Sequence, residues 1–153
     1  RLRTFSKGYG MAGARVGYAL GHKSLISSFN RVRNHFGMSR VSQAGALAAL
    51  NDQAYLADVC DKIEASRQRL YEIANENGLK AIPSAANFVA IDCGQDGDFA
   101  RKVLKELVDL GIFVRMPLVA PQDRCVRISC GTSKDMTLVA KALPIALNNA
   151  RKV

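Results

Sequence analysis

Residues 3–20 read RTFSKGYGMAGARVGYAL, and inside them Gly8, Gly10 and Gly13 spell G-x-G-x-x-G. That is the pattern of a dinucleotide-binding loop. It then needs a helix directly after the glycines, whose free N–H groups meet a pyrophosphate, and an acidic residue about 20 positions further on for the ribose hydroxyls. Neither is present: Gly13 is followed by the strand-like ARVGYAL, and the first acidic residue of the chain is Asp52. The glycine match is therefore coincidental, and the stretch reads as strand (1–6), glycine-rich loop (7–14) and strand (15–20).

Without the dinucleotide reading, attention moves to Lys7. A lysine amine forms a Schiff base with an aldehyde once a buried or cationic setting lowers its pKa. Pyridoxal phosphate offers such an aldehyde together with a phosphate that an arginine fork and hydroxyl donors grip well. Arg15, Ser6 and Thr4 are the right chemical types at short range. On spacing alone, a surface lysine beside a turn is the commoner reading.

Working outward, residues 23–36 predict a helix with Leu25, Ile26, Phe29 and Val32 on one side and Gly37 as its stop. A second helix is expected over 42–50. The clearest periodicity runs over 52–77, where Leu56, Val59, Cys60, Ile63, Arg67, Leu70 and Ile73 recur every three or four residues before a capping Gly78. This helix should lie on a sheet. LKAIPSAANFVAIDC is broken by Pro83 and ends in a strand; residues 98–110 give an amphipathic helix ending at Gly111. GIFVRMP and CVRISCG read as two more strands, and Thr132 with Asp135 forms a capping box for a last helix, 134 to about 150, which Pro144 should kink. The order predicts an α/β fold whose helices pack on a mostly antiparallel sheet.

Composition bounds the function. The 153 residues suffice for one core burying roughly two thirds of the unfolded surface. Apolar residues make up 48% and charged residues 23%, as in ordinary globular proteins, and no apolar run approaches the ~20 residues that span a bilayer. No membrane association is expected. Cys60, Cys93, Cys125 and Cys130 lack C-x-x-C spacing and only His22 and His35 could join them, so no metal site is expected and the thiols read as reduced, in a cytoplasmic protein. The net charge of +9 is concentrated in the first 51 residues. Such a basic segment suits phosphate-bearing small molecules or an acidic protein surface; its irregular aromatics do not make a base-stacking track, so nucleic acid is not expected.

The run TFSKGYGMAGARVGY closely resembles the lysine segment of fold type I pyridoxal-phosphate aminotransferases, especially their histidinol-phosphate branch, with its T-F-S-K, small-residue loop, A-G-x-R and G-Y. The resemblance implies that Lys7 is the Schiff-base residue and general acid/base, and that Arg15, Ser6 and Thr4 hold the cofactor phosphate. It continues through SAANFV around Asn87, GIFVR ending in Arg115, and VRISCGT around Arg127. By this match Arg127 grips the substrate α-carboxylate, Arg115 contacts a side-chain phosphate and Asn87 belongs to the same site. Residues 1–50 then correspond to the end of the large cofactor-binding domain, and 51–153 to the small C-terminal domain, joined by the helix at about 52–77.

The family's ring-binding aspartate and stacking aromatic lie upstream of its lysine, and nothing here matches them. The expected protein is thus the C-terminal portion of an aminotransferase that acts on amino acids and 2-oxo acids, in a homodimer when full length, with the fragment itself inactive and binding cofactor poorly. The competing readings are a different pyridoxal-phosphate reaction, decarboxylation or elimination, and a basic module for phosphate or nucleic acid.

Overall fold

The computed structural model describes residues 1–152. These form two compact units, 1–60 and 61–152. In the first, β1 (Leu2–Thr4) and β2 (Gly17–Ala19) pair antiparallel, with Arg3 opposite Tyr18 and Thr4 opposite Gly17. A Cβ on Gly17 would lie 2.7 Å from the Arg3 carbonyl oxygen, so only glycine lets the two strands close there. Phe5, Val16 and Ala46 form a small core under the loop, with Tyr9, Met11, Ala14 and Ala49 packed around it.

Two helices follow. α1 (Lys23–Val32) starts at His22, whose ring accepts the Ser24 N–H. It ends at Val32, short of the expected Phe36. The cause is local: Asn34 takes the Phe36 N–H on its side-chain oxygen at 3.0 Å, and the Gly37 N–H on its carbonyl at 3.1 Å, so an asparagine turn replaces the next helical turn. α2 (Arg40–Asn51) is capped by the Ser39 hydroxyl, which accepts the Ser42 N–H at 3.0 Å.

The third helix, α3 (Gln53–Glu76), follows the predicted span closely, and Gly78 supplies the left-handed residue after it at φ 68°. Its face is graded: Leu70, Ile73 and Ala74 are fully buried, whereas Cys60 is exposed. In the second unit, β3 (Lys80–Ile82), β4 (Phe88–Asp92) and β5 (Cys125–Ser129) make an antiparallel sheet in the order β3-β4-β5. Val89 and Ile91 of β4 and Val126 and Ile128 of β5 alternate onto its buried face. They join Leu70 and Ile73 of α3, Val103 and Leu107 of α4 (Gly97–Asp109), and Leu143 and Leu147 of α5 (Ser133–Lys152) in one core. The sheet with its helices is the expected α/β arrangement.

One further expectation changes. GIFVRMP is not a full strand: it meets β5 only at Arg115, opposite Arg127, and Pro117, which has no N–H, cannot extend the ladder. The last helix follows the expected span to within two residues and runs through Pro144 to Lys152. Its capping box forms as predicted, with the Asp135 carboxylate accepting from the Thr132 N–H and hydroxyl, each at 2.7 Å. No described helix is long and apolar enough to cross a membrane.

Candidate active site

The loop between β1 and β2 is built from its backbone outward. The Phe5 N–H donates to Val16 O at 3.2 Å, which continues the strand pairing one rung beyond Thr4 and Gly17. The Met11 N–H closes back onto Phe5 O at 3.0 Å and the Gly10 N–H onto Lys7 O at 2.8 Å, with Gly10 at φ 68°. Burial of Phe5 against Tyr9, their ring centroids 4.7 Å apart, anchors the segment from below. Ser6–Lys7 and Arg15 thereby flank the two sides of one loop.

On that loop the Thr4 hydroxyl donates to Ser6 Oγ at 2.9 Å and accepts the Ser6 N–H at 3.0 Å. Thr4 and Ser6 are thus brought together. Lys7 is exposed, and its amine has no hydrogen bond or ion pair among the described residues. Arg15 is the single non-glycine residue among them with a left-handed backbone, φ 50° and ψ 47°, a conformation that costs an L-residue about 1–2 kcal/mol. Its Nη1 donates to Ala12 O at 2.7 Å, and no carboxylate among the described residues pairs with it. Two hydroxyls, an amine and a guanidinium, all without acidic partners, suit an anion that also carries an electrophilic carbon. Strain held at such a position is common where function fixes the backbone.

In the second unit Arg115 and Arg127 exchange both backbone hydrogen bonds, at 3.2 and 2.6 Å. Residues directly opposite in this way project to the same face of a sheet, and each of these two arginines lies over its own aromatic ring. The Arg127 guanidinium lies 4.8 Å from the centroid of the Phe88 ring, and that of Arg115 5.8 Å from Phe113. Asn87 is half-buried at the start of β4 and accepts the Cys130 N–H on its carbonyl at 2.9 Å. The turn before it is held by Arg67, which donates to Ala86 O at 3.0 Å, and by the Tyr71 hydroxyl, which accepts the Ser84 N–H at 2.8 Å.

Sequence reasoning placed Arg67 on the apolar face of α3 and missed that its head group fixes this turn. It also missed Phe88, which the alternation of NFVAID would have put on the face of Arg127 had the strand register been known. The four cysteines are free, and burial pushes the Cys93 thiol up to about 12. Among the described residues no group of three or more metal-ligating side chains converges.

The sequence pattern of the aminotransferase class I and II family matches residues 1–143. The chain belongs to the class I and II aminotransferases. Relatives of this aminotransferase chain include the histidinol-phosphate aminotransferase of a Geobacillus species, 39% identical over 93% of the chain and 38% of the relative. That of Bacillus subtilis is 39% identical over 87% of the chain and 36% of the relative. In structure the chain resembles histidinol-phosphate aminotransferase from Sinorhizobium meliloti, solved in complex with pyridoxal-5'-phosphate, at a TM-score of 0.94 and 53% identity, over 97% of this chain and 41% of that one. The chain thus spans about 40% of the length of the relatives it matches.

For an aminotransferase the donor set on the β1–β2 loop fits pyridoxal phosphate: an amine for the aldehyde, and hydroxyls and a guanidinium for the phosphate.

Proposed function

We propose that this chain provides part of a pyridoxal-phosphate-dependent aminotransferase that acts on an amino acid or amino-phosphate such as histidinol phosphate. The observation that carries the reading is that Thr4, at the end of β1, and Ser6, Lys7 and Arg15, on the loop that follows, have no carboxylate partner among the described residues, in a member of this family. Arg15, with the Ser6 and Thr4 hydroxyls, would hold the cofactor phosphate, and the Lys7 amine its aldehyde carbon. When bound, the cofactor supplies an electron-poor ring that accepts the electron pair left as substrate Cα loses its proton.

Lys7 Nζ is the base that takes that proton and the acid that returns it, a role worth roughly 10²–10⁴ in rate. Arg127 binds the substrate carboxylate through the planar fork that suits such an anion, and Arg115 with Asn87 binds the substrate's more distal polar groups. Residues 1–50 act as the end of the large domain and 51–153 as the small domain. Homodimerisation of the full-length protein accords with the exposed apolar side chains Phe36, Val41 and Leu47, and a cytoplasmic place in amino-acid biosynthesis accords with four free thiols.

Half-reactions of the full-length protein with L-histidinol phosphate, L-phenylalanine and L-glutamate test this reading, followed by loss of deuterium from substrate Cα. Exchange with histidinol phosphate that disappears in Lys7→Ala is expected; exchange that persists in Lys7→Ala would remove the role given to Lys7, and no exchange with any of the three would overturn the reading.

A further inference from the structure

Of the seven arginines of the second unit, Arg151 lies in the last turn of α5, and the other six divide by what holds them. Arg67, Arg69, Arg101 and Arg124 each pair with a carboxylate: Glu64, Glu72 and Glu76, Asp98, and Asp92 respectively. Arg115 and Arg127 have none among the described residues and lie over aromatic rings instead. A carboxylate neutralises the guanidinium and occupies its donors, whereas a ring face holds its plane and leaves all five N–H groups free.

The strand register shows how Phe88 reaches Arg127. Arg127 stands directly opposite Ala90, and Phe88 opposite Ser129, so Phe88 is the diagonal neighbour of Arg127 on the same sheet face. Diagonal neighbours come within reach when both side chains are long. Ala90 is small enough to let the guanidinium lean across it onto the ring. The Phe88 backbone is fixed in turn, its carbonyl accepting from Ser84 Oγ at 2.6 Å and its neighbour Asn87 from the Cys130 N–H at 2.9 Å. The ring is therefore a set platform.

We infer that Phe88 is a positioning residue for substrate binding: its ring fixes the plane of the Arg127 guanidinium while leaving every donor of Arg127 free for a carboxylate. The inference rests on the reading that Arg127 binds the substrate carboxylate. Removing the ring frees the arginine to swing, which weakens ground-state binding of the carboxylate and leaves the proton transfer at Cα to Lys7.

The test uses the full-length holoenzyme with L-glutamate. Phe88→Leu and Phe88→Met, both apolar and ringless, should raise the KM for L-glutamate about 3- to 30-fold, the range set by cation–π contacts, with kcat changed less than about threefold. Phe88→Tyr and Phe88→Trp should restore KM. Arg127→Lys, which loses the fork, serves as the second arm. If Arg127→Lys raises KM strongly while Phe88→Leu and Phe88→Met do not, the inference falls and the carboxylate reading stands. If Arg127→Lys leaves KM unchanged, the carboxylate reading itself falls and the inference with it. A loss confined to kcat, or no rescue by Tyr and Trp, would reduce Phe88 to a packing residue and overturn the proposal.

Discussion

Replacing Arg15 by glycine should leave the β1–β2 loop more stable than replacing it by alanine, and either change should weaken the hold on the phosphate proposed to bind there. Arg15 sits at φ 50°, where an L-residue is penalised by about 1–2 kcal/mol and glycine is not. Glycine in turn loses about 0.5–1 kcal/mol more conformational entropy on folding than alanine. Both Arg15→Gly and Arg15→Ala lose the donation from Nη1 to Ala12 O, so comparing them isolates the backbone contribution. Taking like ends of the two ranges, the difference comes to about 0.5–1 kcal/mol in favour of glycine, or roughly a two- to fivefold smaller population of the open loop.

Hydrogen exchange at the Phe5 and Met11 amides reads that opening, because those N–H groups bond to Val16 O and Phe5 O around the loop. Both variants should bind pyridoxal phosphate more weakly, by about 10- to 150-fold, as expected for a lost charge-assisted hydrogen bond. Exchange in Arg15→Gly as fast as in Arg15→Ala would refute the strain argument, and unchanged cofactor affinity in both would refute the role of the guanidinium.

Three further outcomes follow from particular contacts. Gly17→Ala places a Cβ 2.7 Å from Arg3 O and should destabilise the β1–β2 pair by about 1–3 kcal/mol in urea unfolding. Leu70→Ala, at a fully buried site where α3 meets the sheet, should cost about 2–5 kcal/mol in the same assay. The Asp135 carboxyl is held below its ordinary value by the Thr132 hydroxyl and N–H. Its stabilising effect is therefore complete above the unfolded-state pKa and lost as pH falls through the lower folded value, so Asp135→Asn should flatten the acid limb of stability against pH.

Much of the fold could be read from the sequence because local signals agreed with packing. The periodicity of α3, the glycines after α3 and α4, and the Thr132–Asp135 box each state a backbone requirement that nothing tertiary opposes. The end of α1 was misjudged because Asn34 offers the backbone a competing turn that hydrophobic periodicity does not register. GIFVRMP carries strand-forming residues, but pairing is a property of two segments, and only Arg115 meets a partner.

At the candidate site, the Thr4–Ser6 contact and the placing of Lys7 and Arg15 along one connection were legible because these residues are close in sequence. The facing of Arg115 and Arg127, and the ring beneath Arg127, depend on register across the sheet, which no single segment encodes. Residue type alone likewise could not show that Arg15 adopts a left-handed backbone.

The most direct test is to treat the full-length protein, incubated with pyridoxal phosphate, with borohydride and to map the pyridoxyl group by peptide mass spectrometry. The label should fall on Lys7 and vanish from that peptide in Lys7→Ala. Stoichiometric labelling of another lysine, such as Lys23, with Lys7 unmodified would contradict the account.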